Sequence, residues 1–202
     1  MKHPQRHVVG KTDTGHSILR SMRVKRIFGL VLSLLSVTPH AYAQVEPLAI
    51  EAKAISTNGA MAQSITPLQI RGAFELSSTH KDFGGLSGMR IGTQDRIYMI
   101  SDAGQFISAK LGFDATGVFK EIGKATIAPL LDPEGQVMPN KSLADSESLI
   151  WADDDSHMLV SFEFRHRVWR YELRDNQLLK PTALGVAPHL ATLPANGGIE
   201  AM

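Results

Sequence analysis

From residue 68 onward the chain is a succession of short β-branched and aromatic runs cut by Gly, Asp and Asn turns, and no window of ten or more residues carries a helical period. Runs such as 68–74 (LQIRGAF), 96–100 (RIYMI), 106–111 (FISAKL) and 118–122 (VFKEI) have strand length and strand chemistry. The turns between them (Gln94-Asp95, Ala103-Gly104, 114–117 DATG, 153–156 DDDS and 174–176 RDN) have the length and residues of hairpin connections. Such a pattern leaves only an all-β fold.

Overlaying the runs reveals a repeat. Residues 85–89 (GLSGM) correspond to 145–149 (DSESL) and to 198–202 (GIEAM), with starts 60 and 53 residues apart. In the first two copies a polar turn and an apolar strand ending in an acid follow: 97–102 (IYMISD) and 158–163 (MLVSFE). A third strand comes next, over 106–113 and 167–173, and a fourth near 118–122 and 178–184. Four antiparallel strands per unit is the arithmetic of β-propeller blades. The Pro-, Gly- and Asn-containing stretch 131–143 is then a loop insertion, and a β-sandwich with coincidental similarity is the competing arrangement. The third copy stops at its first strand, so the reading expects an incomplete propeller, the N-terminal part of a longer protein.

The first 43 residues have the zones of a secretory leader. Arg20, Arg23, Lys25 and Arg26 precede the uncharged run 27–37, and Ala41-Tyr42-Ala43 offers a cleavage site before Gln44. Eleven residues fall short of the roughly 20 that span a bilayer, so no stable membrane insertion is expected once the leader is removed. The expected location is the periplasm or the exterior, with Met22 an alternative start to Met1. Residues 44–66 read as a linker or an irregular first strand, and 67–202 as the β domain.

Without the leader the charge balance inverts. Seven of the 21 basic residues but only one of the 20 acids lie in residues 1–43, leaving 14 basic against 19 acidic. Nothing there builds the basic patch that nucleic-acid binding requires. Absence of cysteine removes disulfides, thiolate metal sites and cysteine nucleophiles.

The acids recur at matching repeat positions: Asp102 and Glu163 after the second strands, Asp145 and Glu147 opening the second unit, Glu200 in the third. Matching positions of successive blades point to one end of a central channel, where these carboxylates would converge. Hard oxygen donors without cysteine favour Ca²⁺ or Mg²⁺ over zinc; taken singly, each acid could equally cap a turn. The turn 163–167 (EFRHR) places Arg165, His166 and Arg167 beside Glu163, an arrangement able to clamp a phosphate or carboxylate, or else a solvated hairpin. Trp169 and Tyr171 read as packing residues. Ser87 sits in a partial nucleophile elbow, but Met89 stands where the second glycine belongs and no strand-then-helix context surrounds it. Asp153-Asp-Asp155 lacks the spacing of a calcium loop and reads as a turn, as does 132–135 (DPEG).

The segments 83–88 (FGGLSG), 100–102 (ISD), 128–135 (APLLDPEG), 144–147 (ADSE), 160–163 (VSFE), 165–171 (RHRVWRY) and 193–200 (LPANGGIE) resemble, in this order, the phytase-like domain family, described as having esterase-like activity of phytase. The usual D-A-E of that family is Asp145-Ser-Glu147 here, which keeps both carboxylates. The resemblance implies an exported propeller-like protein, typically longer than this chain. In calcium-dependent propeller phytases, channel-end acids hold the metal, and metal and basic residues hold phosphate. Carried over, this gives Asp102, Asp145, Glu147, Glu163 and Glu200 as ligands of Ca²⁺. Glu147, Glu163, Arg165 and Arg167 would carry the chemistry on a small anionic ester. The rival expectation is a non-catalytic propeller that binds a ligand or protein partner.

Overall fold

The computed structural model describes residues 43–55, 70, 72–152 and 155–202; residues 1–42, all but the last residue of the expected leader, together with most of 56–71 and Asp153 and Asp154, lie outside the described residues. No described helix is long and apolar enough to cross a membrane. The described chain is almost all β, in antiparallel sheets, as expected of the all-β class.

Two meanders form its body. The first runs through β4 (Leu86–Ile91), β5 (Arg96–Ser101), β6 (Gln105–Phe113) and β7 (Phe119–Pro129), each strand pairing with the one before it. The second runs through β8 (Ser146–Trp151), β9 (His157–Phe162), β10 (Arg167–Arg174) and β11 (Gln177–Leu178). Two hairpins turn through consecutive left-handed residues, Gln94-Asp95 and Asp175-Asn176. Both φ values are positive in each pair, as in the type I′ turn that matches strand twist. The fourth strands differ from the sequence expectation. β7 extends to Pro129, well beyond residue 122. In the second unit the expected strand 178–184 divides into β11 and β12 (Thr182–Leu184), because Pro181 has no N–H to give to the ladder; β12 still pairs with β10.

Part of the N-terminal stretch is strand. β1 (Glu46–Leu48) adds to the far edge of the first sheet beside β7, and β2 (Glu51–Ala54) pairs with β3 (Phe74–Ser77). The alternation of side chains along β5 explains the layering. Ile97 and Met99 face a core with Leu48, Ile107, Ile122 and Ile127, against which Ile50, Ala52 and Leu76 of the β2–β3 region pack. Tyr98 and Ile100 face the opposite way, into a core shared with Leu149, Met158, Val160, Phe162, Trp169 and Tyr171 of the second unit. β5 is therefore buried on both faces, and the second unit is fastened to the first sheet by an apolar core.

Polar bonds fix the register between the units. The buried Ser146 hydroxyl donates to the Ser101 carbonyl (2.7 Å), Ser87 Oγ to the Ser146 carbonyl (2.6 Å) and Trp151 Nε1 to the Ile91 carbonyl (3.3 Å). The units also match in their irregularities. The pairing of β4 with β5 shifts between Leu86 and Gly88, and that of β8 with β9 between Ser146 and Ser148. The extra residue is Ser87 in one and Glu147 in the other. A bulge re-aims the side chain it carries, so this defect positions the site.

Candidate functional site

Both bulges open onto one end of the inner strands. There the Asp102 amide donates to the Gly85 carbonyl (2.8 Å), and the Glu163 amide donates to the Asp145 carbonyl (2.9 Å). This repeated bond closes the end of each β-hairpin and brings the acid after the second strand beside the first residue of the unit. The two ends face a shared hollow of about 530 Å³ lined by Gly85, Ser87, Asp102, Lys141, Asp145, Glu147, Glu163 and Glu200, with Leu86, Phe164 and Asn196. All five acids expected from the repeat lie here.

Three of them are close enough to share one ion. Carboxylate oxygens of Asp145, Glu147 and Glu163 all lie within 4.8 Å of one another. Asp145 and Glu163 are buried, at 4% and 6% exposure, while Glu147 is half-buried. Burial, first, and then the hydrogen bond and charge of Asp145 and the charges of Glu163 and Glu200 push the Glu147 carboxyl up to about 7. Glu200, on the exposed segment that follows, is also raised, because its protonated form donates a hydrogen bond to Glu163 and because of the Glu163 charge. Crowded carboxylates answer repulsion in this way when no cation offsets it.

The segment bearing Glu200 is docked onto the second unit by several hydrogen bonds. Gly198 N donates to Glu163 Oε1 (3.1 Å), Phe164 N to the Ala195 carbonyl (3.0 Å) and Ser161 Oγ to the Ile199 carbonyl (2.8 Å). His166 Nε2 lies 3.0 Å from the Pro194 carbonyl and so carries its proton there, which leaves the buried Nδ1 without a partner. A Cβ at Gly198 would come within 2.4 Å of that Nδ1, so only glycine lets the segment pass so close.

Sequence reasoning missed Lys141. Its ammonium donates to Asp102 Oδ2 (2.8 Å), the Asp102 carbonyl (3.2 Å) and Asp145 Oδ1 (3.0 Å), bridging the first unit to the second. Burial works against its charge, but the bonds to Asp102 and Asp145 outweigh that and raise its pKa. It stands on a single helical turn, α1 (Lys141–Ala144), inside the expected loop insertion. The signal was present: Asn140 is a good N-cap, and Lys141 is spaced i,i+4 from Asp145.

The structure does not bring Arg165 and Arg167 into the hollow. They line a separate cleft of about 280 Å³ with Asp132, Glu134, Met138, Leu143 and Trp169. The Arg167 guanidinium sits over the rings of Phe162 (4.0 Å) and Trp169 (4.4 Å) and donates to the carbonyls of Leu143 and Arg165. Burial lowers it to about 10, so it stays charged at neutral pH. Arg165 also lines a hollow that shares Phe164 with the carboxylate site. Trp169 and Tyr171 are core residues, at 8% and 0% exposure. Ser87 has no histidine beside it among the residues lining the hollow, and its hydroxyl is committed to the Ser146 carbonyl.

A family model described as "Phytase-like: Esterase-like activity of phytase" matches residues 81–202, which take in both units and all five acids. No curated protein and no solved structure matches the chain. With well over half of its length covered, the chain belongs to the phytase-like family.

Proposed function

We propose that the chain is an exported hydrolase of phosphate or carboxylic esters that works with Ca²⁺ held in the carboxylate hollow. The observation that carries this reading is the approach of Asp145, Glu147 and Glu163 to within 4.8 Å, two of them buried. Anions do not gather out of water at such spacing without a positive partner. The donor set fits a hard cation: carboxylate oxygens only, with neither cysteine nor histidine. Two further features support the fit. Gly85, at φ +56°, leaves room for Asp102 to turn into the hollow, since a Cβ there would come within 2.0 Å of Asp102 Oδ1. The Lys141 ammonium already stands among these oxygens as a positive group.

Asp145, Glu147 and Glu163 would hold the ion, with Asp102 and Glu200 on either side. When bound, Ca²⁺ would polarise an ester oxygen and make a coordinated water more acidic. Glu147, the half-buried member, keeps an edge toward solvent and is placed to exchange a proton with an incoming water. The basic groups available to an anionic substrate are Lys141, in the hollow, and Arg165, in the hollow sharing Phe164. Arg167 is occupied with Leu143 and the aromatic rings, and in this reading it supports the site instead of touching substrate.

Hydrolysis of a chromogenic phosphomonoester and a chromogenic carboxylic ester, with and without added Ca²⁺, tests the proposal. Calcium-dependent turnover of either, lost in Glu163→Gln, is the expected result. Calcium binding without turnover of either ester would replace it with a ligand-binding role.

A further inference from the structure

The segment linking the two units is built as an arm. At its start, Tyr171 Oη donates to the Leu131 carbonyl (2.8 Å) and Leu131 bridges to Val137, while the Asp132 carboxylate caps the intervening turn by accepting from the Glu134 and Gln136 amides. At its end, Asn140 Oδ1 accepts from the Leu143 amide (3.2 Å) and Arg167 holds the Leu143 carbonyl. Between these anchors stands Lys141, whose ammonium touches both Asp102 and Asp145.

The ammonium and the carboxylates differ in freedom. The Lys141 side chain is 56% exposed on a flexible stem, whereas that of Asp145 is 5% exposed and cannot follow it out. Asp145 supplies one of the three carboxylates a divalent ion would need, and an ammonium 3.0 Å from its Oδ1 would face that ion as a like charge at close range. The two cations therefore compete for one carboxylate.

We infer, on the basis of the calcium reading above, that Lys141 is a tethered counter-cation. It occupies Asp102 and Asp145 in the metal-free protein and is displaced toward solvent, and toward an arriving anion, when a divalent cation takes those oxygens. Competition of this kind is a coupling between two binding events, so each weakens the other by the same factor. It would let the hollow fold without metal and would free a positive side chain when the site is loaded.

Calcium titration of the whole chain by calorimetry, in wild type, Lys141→Met and Lys141→Arg, tests this, paired with amine-reactive labelling of Lys141 read by mass spectrometry. Lys141→Met should bind Ca²⁺ about tenfold more tightly, Lys141→Arg should show no such gain, and labelling of wild-type Lys141 should rise when Ca²⁺ is added. Equal or weaker binding by Lys141→Met, with labelling unchanged by Ca²⁺, would overturn the inference and leave the calcium reading standing. No binding by wild type or either variant would remove the calcium reading and this inference together. Should Lys141→Met fail to fold, wild-type labelling decides alone, and no rise under saturating Ca²⁺ counts against the tether.

Discussion

At the scale of single residues, Glu147 has the clearest consequence. Its folded-state pKa is raised from 4.5 to about 7, so between these values the folded state holds a proton that the unfolded chain has released. Stability of the metal-free protein from this group should therefore fall as pH rises from about 4.5 to 7, and level off above. Thermal melts in a chelator across that range should show the decline, and Glu147→Gln should flatten it. Added Ca²⁺ must displace the same proton, so calcium affinity should weaken as pH falls below about 7. Gly85→Ala tests geometry instead of charge. A left-handed φ costs a non-glycine residue about 1–2 kcal/mol, and the new Cβ would push Asp102 out of the hollow. Lower stability together with weaker calcium binding is expected, measured by melt and calorimetry. All five acids were legible as a set because the repeat aligns them. Lys141 did not join that set, because it has no counterpart in the other unit and, although its pair with Asp145 is local, its pair with Asp102 spans 39 residues.

Among elements, the arm between the units and the turn between β9 and β10 matter most. Tyr171 is fully buried, and its hydroxyl satisfies the Leu131 carbonyl. Tyr171→Phe leaves that acceptor unpaired and should cost about 1–3 kcal/mol, seen as a lower midpoint in chemical denaturation. Its effect on calcium binding should be smaller, since the carboxylates sit at the start of β8 and just after β9. Strands and hairpin turns within the two units followed from alternation and turn residues, and the two type I′ hairpins fall where Gln94-Asp95 and Asp175-Asn176 stand; the run 68–74 did not, since Ile70, Gly72 and Ala73 lie outside any strand and β3 starts only at Phe74. Less visible was the direction in which the 163–167 turn presents its side chains. Phe164 adopts φ +52°, a conformation unusual for a bulky residue, and its amide bonds to Ala195. With the backbone turned there, His166 faces the 193–198 segment and Arg167 stacks on Phe162 and Trp169, so two of the three basic residues of the turn are engaged in internal contacts. Aromatic stacking and carbonyl capture depend on tertiary neighbours that the motif EFRHR does not encode.

At the scale of the whole molecule, the account rests on two matching units packed so that their inner ends meet. Leu149 lies at 0% exposure in the core that both units share. Leu149→Ala should cost about 2–5 kcal/mol and lower calcium affinity as well, because it loosens β8 against β5. The most direct measurement is calcium calorimetry at pH 7.5 in two buffers of different protonation enthalpy, on wild type and Glu163→Gln. A saturable heat whose size depends on the buffer, from proton release as the carboxylates take the ion, and which disappears in Glu163→Gln, is the predicted result. No heat from the folded wild-type protein, or a heat that survives in Glu163→Gln unchanged, would contradict the claim that these acids converge to hold a cation.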